Sequence, residues 1–449
     1  MSDSALELLE ENIEELIEAS NLKDLAALLK ETHPADIAFL FPRFDKTEQQ
    51  IILDLLESEQ ASDVLVELDD HAQEKVLKSL DDNRIAELVD ELESDEAADV
   101  LASIEPEVAE KVLEILDRDT REEVQQLMEY DEDTAGGIMS TDLVAVRDDM
   151  TVIEAVREIR RLAEEVDDVY RVWVVDKFGI FKGLVSLKDL VLATAKTKIS
   201  AITDTDIQVV NVEMDQETVA HMMKRYDLVS IPVTDKAGHL LGRITWDDAM
   251  EVMDEESSED LGYISGTGEE EPSARSVFNS SKHRLPWLII SLIGEFVVAI
   301  VMSRFVESLE SLIVLAFFIP IINALGGNAG MQSSVIIVRG LATGEVALAD
   351  TGLRVMKELG VALLNGLILS IILFVIVTFW QRLWFESVII SLSLLVVILI
   401  STVNGVIIPI LLKKSGVDPA VAMGPFVTVS NDIIGVFIYL TIATHLLVK

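Results

Sequence analysis

The chain has no cysteine among its 449 residues, which excludes a disulfide framework and thiolate metal centres. Its six histidines (His33, His71, His221, His239, His283 and His445) are scattered, without the spacing a zinc or iron site requires. Positive charge is scarce: 35 Lys and Arg stand against 79 Asp and Glu, a formal net charge of −44, so nucleic acid is repelled and cations are favoured. No Gly-rich run is followed by Lys-Ser/Thr, so a phosphate loop is missing. No nucleophile–base pair stands out, which argues against a membrane enzyme. The N-terminus lacks a signal peptide: MSDSALELLEENIEEL reads as an acidic amphipathic helix.

What is present is divided sharply. Residues 285–449 hold nine acids and eight bases, leaving 70 acids against 27 bases in residues 1–284. The front is a soluble acidic region and the back a membrane domain with apolar spans at 285–304, 311–337, 357–380, 386–412 and 419–448. Glu345 to Leu359 reads as an interfacial amphipathic helix. Lys282, Arg284, Arg339, Arg354, Lys357, Lys413 and Lys414 fall on one side, against Arg304, Arg382 and Lys449 on the other. The positive-inside rule then predicts a cytoplasmic front and an external C-terminus in a cell membrane.

The last span carries Asp432 near its middle, beside Asn431. An acid at that depth costs at least about 2.5–3.5 kcal/mol and should face a wet path or a partner. A protonated acid hydrogen-bonded to a neighbour is one reading; a cation site is the favoured one. The second span contains Pro320, Gly326, Gly327 and Gly330 among Asn323, Asn328 and Gln332. That composition predicts a helix broken inside the bilayer, with freed carbonyls lining a cavity. Close packing through small residues is the competing account, and both can hold.

In residues 1–130 one phase repeats. FLFPRF at 39, IILDLL at 51, DVLVEL at 63, KVLKSL at 75, ELVDEL at 87, DVLASI at 99 and KVLEIL at 111 recur every twelve residues. Twelve residues make a short helix and a turn, so an α-solenoid is expected. The acids at the turns (Asp81, Asp82, Glu93, Asp95, Glu96, Asp99) form a solvated face or bind divalent ions at a domain contact.

Residues 137–253 contain two copies of one module. Val175 to Gly179 and Gly183 to Ser186 match Thr234 to Gly238 and Gly242 to Thr245 at an offset of 59; Asp142 and Met150 match Asp206 and Met214 at 64. Each copy reads as strand, helix, strand, Asp-x-x-Gly turn, strand and helix. This order, with its G-x-[VI]-[ST]-x-x-D ending, resembles the CBS domain pair. Such a pair implies an adenine nucleotide, ATP, as a candidate ligand; a dimerisation and gating element without nucleotide is the alternative. Residues 247–284 then couple the halves. Asp248, Glu251, Glu255 and Glu259 share one helix face and repel unless cations sit between them. Gly262 to Ser281 reads as a linker of disordered composition.

Together, the acidic helical front, the CBS pair, the acidic helix, the P-x-x-x-x-x-G-G-N-x-G-x-Q-S stretch and the segment from Asp418 to Gly435 resemble the MgtE magnesium channels and transporters. The resemblance covers nearly the whole chain. It implies a multi-domain α plus α/β protein, with an N-terminal α-solenoid, a tandem CBS pair and a five-helix transmembrane domain forming a homodimeric pore. It further implies that Asp432 faces hydrated Mg²⁺, and that cytoplasmic Mg²⁺ bridges the acidic domains and closes the pore. Regulatory candidates, chosen by location and by the resemblance, are Asp95, Asp99, Asp248, Glu251, Glu255, Glu259 and Asp260. Pore-lining candidates are Asn323, Gly326, Gly327, Asn328, Gln332, Gly424, Thr428 and Asn431, with Asp418 at the cytoplasmic entry. Gly424 departs from the family, which often has Asn there. A broader divalent transporter carrying Co²⁺ or Mn²⁺, and a CBS-regulated membrane sensor without transport, are the alternatives.

Overall fold

A computed structural model describes residues 3–162, 171–266, 277–342 and 351–447. It divides into two compact units, residues 1–254 and 255–449.

The front unit begins with α1 (Asp3–Glu18) and α2 (Leu22–Glu31). Eight short helices follow: α3 (Pro34–Leu40), α4 (Lys46–Leu55), α5 (Ser58–Val66), α6 (Asp70–Leu77), α7 (Asp82–Val89), α8 (Ser94–Ala102), α9 (Pro106–Ile115) and α10 (Arg118–Leu127). Each starts twelve residues after the one before. The acids at the turns have a local job. Asp81 accepts hydrogen bonds from the backbone N–H of Asn83 and Arg84, and Glu93 and Glu96 form a capping box at α8. A cap of this kind stabilises a short helix by about 1 kcal/mol. The main contacts join alternate helices, α3 to α5, α5 to α7, α7 to α9 and α8 to α10. Two rows of helices thus share one core containing Leu25, Leu40, Ile52, Val64, Ile85 and Val112.

Two three-stranded sheets come next. The first holds β1 (Ala145–Arg147), α11 (Val152–Leu162), β2 (Arg171–Val175), β3 (Phe181–Ser186) and α12 (Leu187–Leu192). The second holds β4 (Val210–Asn211), α13 (Gln216–Tyr226), β5 (Ser230–Thr234), β6 (Leu240–Thr245) and α14 (Trp246–Ser265). In both, the first strand runs parallel to the second and the second antiparallel to the third. Val146 pairs with Val174 as Val210 pairs with Val233, so the extra residues of the first copy lie between β1 and β2. Gly179 and Gly238 occupy positive φ at equivalent turns. There the two copies join: Phe181 N–H donates to Gly238 O and Leu240 N–H to Gly179 O.

The second unit contains α15 (Val277–Ser303), α16 (Val306–Ser311), α17 (Val314–Ala342), α18 (Thr351–Gln381), α19 (Trp384–Lys414) and α20 (Pro425–Leu447). Five of these, all but α16, are long and apolar enough to cross a membrane. Large apolar side chains such as Leu288, Leu292 and Phe296 on α15 and Ile371 and Phe379 on α18 face outward, as lipid-facing surface does. The core is built from Leu315, Phe318, Val397 and Leu440, with Tyr439 donating its hydroxyl to Leu315 O at 2.9 Å.

Three expectations are corrected here. α17 is one unbroken helix through Pro320, Gly326, Gly327 and Gly330. Gly326 and Gly330 serve packing: a Cβ on Gly405 would sit 2.1 Å from the Gly330 carbonyl oxygen, and one on Gly326 2.8 Å from Val397 Cγ1. Close backbone approach to α19 outweighs weak helix propensity, because small residues are what let helices associate in lipid. Residues 351–359 form the first turns of α18, not a separate interfacial helix, while 343–350 lie outside the described residues. Gly262 to Ser265 belong to α14 and 277–281 to α15; the remainder of the expected linker, 267–276, lies outside the described residues.

Candidate functional site

Two groups of carboxylates are brought together, one in each unit. In the second unit a cavity of about 380 Å³ is lined by Glu295, Asn323, Ala324, Gly327, Asn328, Met331, Thr428 and Asp432. Three helices contribute. α17 turns Asn323, Gly327 and Asn328 toward it, at the spacing that keeps i, i+4 and i+5 on one side. α20 supplies Thr428 and Asp432, one turn apart. α15 supplies Glu295, and it approaches α20 so closely at Gly294 that a Cβ there would lie 2.1 Å from Val429 Cγ1. Glu295 and Asp432 are in direct side-chain contact. Two carboxylates in such contact repel one another unless a cation offsets their charge.

The candidate pore residues separate. Asn323, Gly327, Asn328, Thr428 and Asp432 share the cavity; Gly327 has open space where a Cβ would stand. Gln332 lies elsewhere, in a second cavity of about 350 Å³ among α17, α18 and α19 with Ser333, buried Glu358, Asn365 and Thr402; Asn328 reaches both. There Ser333 donates to Glu358 Oε2 at 3.1 Å. Gly326 packs into α19. Asn431 is 1% exposed and accepts a 2.9 Å bond from Asn404 Nδ2, so it belongs to the α19–α20 seam. Asp418 is exposed and caps the short turn before α20, accepting from Ala420 N–H at 2.8 Å. Gly424 lies beneath the last turn of α14: a Cβ there would stand 2.8 Å from the Tyr263 carbonyl oxygen. Any larger residue at this position would displace that turn.

The front unit gathers its acids at the N-terminus of α8 and the start of α14. Asp95 is 7% exposed, and its Oδ1 has no hydrogen-bond partner among the described residues. Burial, then the charge of Asp248, hold its carboxyl well above the usual carboxylate range. Burial and Glu93 push Glu96 up to about 7, and burial and Glu251 push Asp99 up to about 7. Asp99 is exposed, so solvent screening discounts its shift and Asp95 is the more strongly affected. Burial also raises Asp248, opposed by hydrogen bonds from Thr245 N–H and its hydroxyl at 2.8 and 2.7 Å. Arg243, nearly buried, answers part of this charge by a two-pronged contact with Glu93 at 2.9 and 3.1 Å.

Of the regulatory candidates, Asp95, Asp99, Asp248 and Glu251 therefore meet in one place. Glu255, Glu259 and Asp260 lie further along α14, in the second unit. Glu93 and Glu96, named with the turn acids that could bind divalent ions but not among the regulatory candidates, join the front group, and Glu295 was missed as a member of the other. Glu295 looks like a lone acid near the middle of the first span. That position is the signal that could have found it. Among the described residues no three carboxylate or imidazole groups converge closely enough to ligate a metal directly.

A third feature is a cleft of about 450 Å³ between the two CBS copies, lined among others by Arg171, Asp206, Tyr226 and Ser230. Arg171 Nη1 donates to Ser230 O at 3.0 Å.

Five apolar helices, three of them lining a carboxylate-bearing cavity, together with an acidic helical domain and a CBS pair define a membrane transport protein. The comparisons agree. Family models described as divalent cation transporter, MgtE intracellular N domain and CBS domain match residues 319–442, 32–133, and 135–196 with 199–255. The magnesium transporter MgtE of Thermus thermophilus is 34% identical over 457 residues, covering 97% of this chain and 98% of that protein. The one from Bacillus subtilis is 29% identical, covering 96% and 95%. A crystal structure of the cytosolic domain of the Mg²⁺ channel MgtE in complex with ATP is 35% identical with a TM-score of 0.52, covering 54% of this chain and 99% of that one. The chain belongs to the MgtE family of magnesium transporters.

Proposed function

We propose that the protein is a Mg²⁺-selective channel that admits the ion down an inside-negative membrane potential and closes when cytoplasmic Mg²⁺ rises. The observation that carries this is the cavity holding Asp432. Mg²⁺ dehydrates reluctantly and usually keeps several waters. Six waters occupy roughly 180 Å³ at about 30 Å³ each, and the cavity, at about 380 Å³, has room for the hydrated ion. Carboxylate and amide oxygens then accept hydrogen bonds from the bound waters. The potential supplies about 4.6 kcal/mol per 100 mV for a divalent ion, so no nucleotide hydrolysis is needed.

The pore is completed by a second copy, with two Asp432 side chains facing each other across the two-fold axis. The front half (helical domain 1–130, CBS pair 137–253 and coupler 247–284) stays in the cytoplasm, and the membrane domain 285–449 ends outside. The acids around Asp95 act as the sensor: their repulsion loosens the front unit when Mg²⁺ is low, and bound Mg²⁺ relieves it. α14 carries Asp248 in its first turn and Tyr263 in its last, over Gly424, so its position decides whether the start of α20 is covered. ATP occupies the cleft between the CBS copies, with Arg171 toward the phosphates and Tyr226 offering an aromatic face to the base. A relative's cytosolic domain holding ATP supports this.

The test is divalent current through inside-out patches as cytoplasmic Mg²⁺ is raised. Wild type should conduct and then shut, and Asp432→Asn should not conduct. An Asp432→Asn variant that carries Mg²⁺ as wild type does would overturn the pore assignment.

A further inference from the structure

We propose that Glu295 is a second cation-recognising residue of the pore, so that each subunit presents a pair of carboxylates to the hydrated ion. This rests on the reading of the Asp432 cavity as the ion's path.

Glu295 projects from α15 into the same cavity as Asp432 and touches it. The placement is built rather than incidental. Gly294, the residue before it, is buried against Val429, and no larger residue fits without parting α15 from α20. The tight crossing brings Glu295 opposite Asp432, which follows Val429 by three residues. Among the described residues no Lys or Arg lines the cavity to neutralise the two acids. The other polar lining side chains, Asn323, Asn328 and Thr428, are neutral. Two acids among neutral amide and hydroxyl groups form an acceptor-rich surface, which suits the outward-pointing hydrogens of a hexahydrated divalent cation. A monovalent ion with a looser water shell gains half as much from the same charge. Glu295 therefore raises affinity and favours divalent over monovalent ions, while Asp432 remains the residue without which flux stops.

The experiment uses the full-length protein in proteoliposomes with an enclosed Mg²⁺ indicator. Wild type, Glu295→Gln, Glu295→Asp and Asp432→Asn are compared for flux against external Mg²⁺, and for block by cobalt(III) hexaammine, an inert mimic of the hexahydrate. Removing one charge beside a divalent ion in a wet site predicts that Glu295→Gln raises the half-saturating Mg²⁺ concentration roughly tenfold. Block should weaken by a similar factor while the maximal flux holds within about twofold. Glu295→Asp keeps the charge but withdraws it by one methylene, so its shift should be smaller; it also decides the matter if the Gln variant does not reconstitute. Half-saturation and block unchanged in the Glu295 variants, with Asp432→Asn inactive, would overturn the proposal and leave the pore reading intact. Unchanged behaviour in both Glu295→Gln and Asp432→Asn would overturn both.

Discussion

The protein gathers carboxylates in two places, and the two are built on opposite principles. Around Asp95 the acids are crowded at helix starts against neighbouring helices, where burial raises their protonation equilibria and backbone N–H groups answer only part of the charge. Around Asp432 the acids face a cavity with room for an ion and its waters. On the proposed function, the first arrangement stores repulsion that a cation relieves and the second offers a seat from which an ion can also leave. Burial and crowding, not residue type, distinguish the two groups.

The two units also hold together differently, and this gives the largest expected effect. The membrane unit depends on backbone contact at Gly330 and Gly405, where any Cβ on Gly405 collides with a carbonyl oxygen. Gly405→Leu should cost about 3 kcal/mol or more, abolish Mg²⁺ flux and shift the detergent-solubilised protein to aggregates on size exclusion. Unfolding of the front unit should be unaffected. Retained flux would show that the α17–α19 seam tolerates separation.

Next in size is the pH response of the front unit. Asp95, Glu96, Asp99 and Asp248 have folded values raised above the unfolded ones near 4. The folded state thus binds more protons, and the stability they contribute is present below about pH 4 and lost as pH rises through about 7. In chelator, the unfolding midpoint of the front unit should fall by several degrees between pH 5 and 7.5, and millimolar Mg²⁺ should restore it. An Asp95→Asn, Asp99→Asn double variant should flatten both responses. A midpoint that climbs with pH would contradict the repulsion on which the proposed sensor rests.

The smallest effect concerns nucleotide. Tyr226→Ala should weaken ATP binding about tenfold by calorimetry, as loss of one base-stacking contact does. Saturating Mg²⁺ flux should be unchanged. Undiminished binding would place the nucleotide elsewhere.

Much of this was legible in the chain alone. The twelve-residue interval gives a helix start at each of eight positions, because a short helix and its turn are set by local backbone bonding and acid caps. The offsets of 59 and 64 mark two copies of one module, because strand register needs the same alternation in each. Asp432 stood out because a charge in an apolar span is costly wherever the helix points. The tertiary structure alone decided which residues meet. A helix apolar on all sides does not announce its inner face. Hence Gln332 and Asn431, expected beside Asp432, lie in other seams, while Glu295 comes from another helix to join it. The same holds for α17: its glycines and proline signal a break locally, yet contact with α19 keeps it whole, because helix packing within a membrane outweighs the propensity of any single residue.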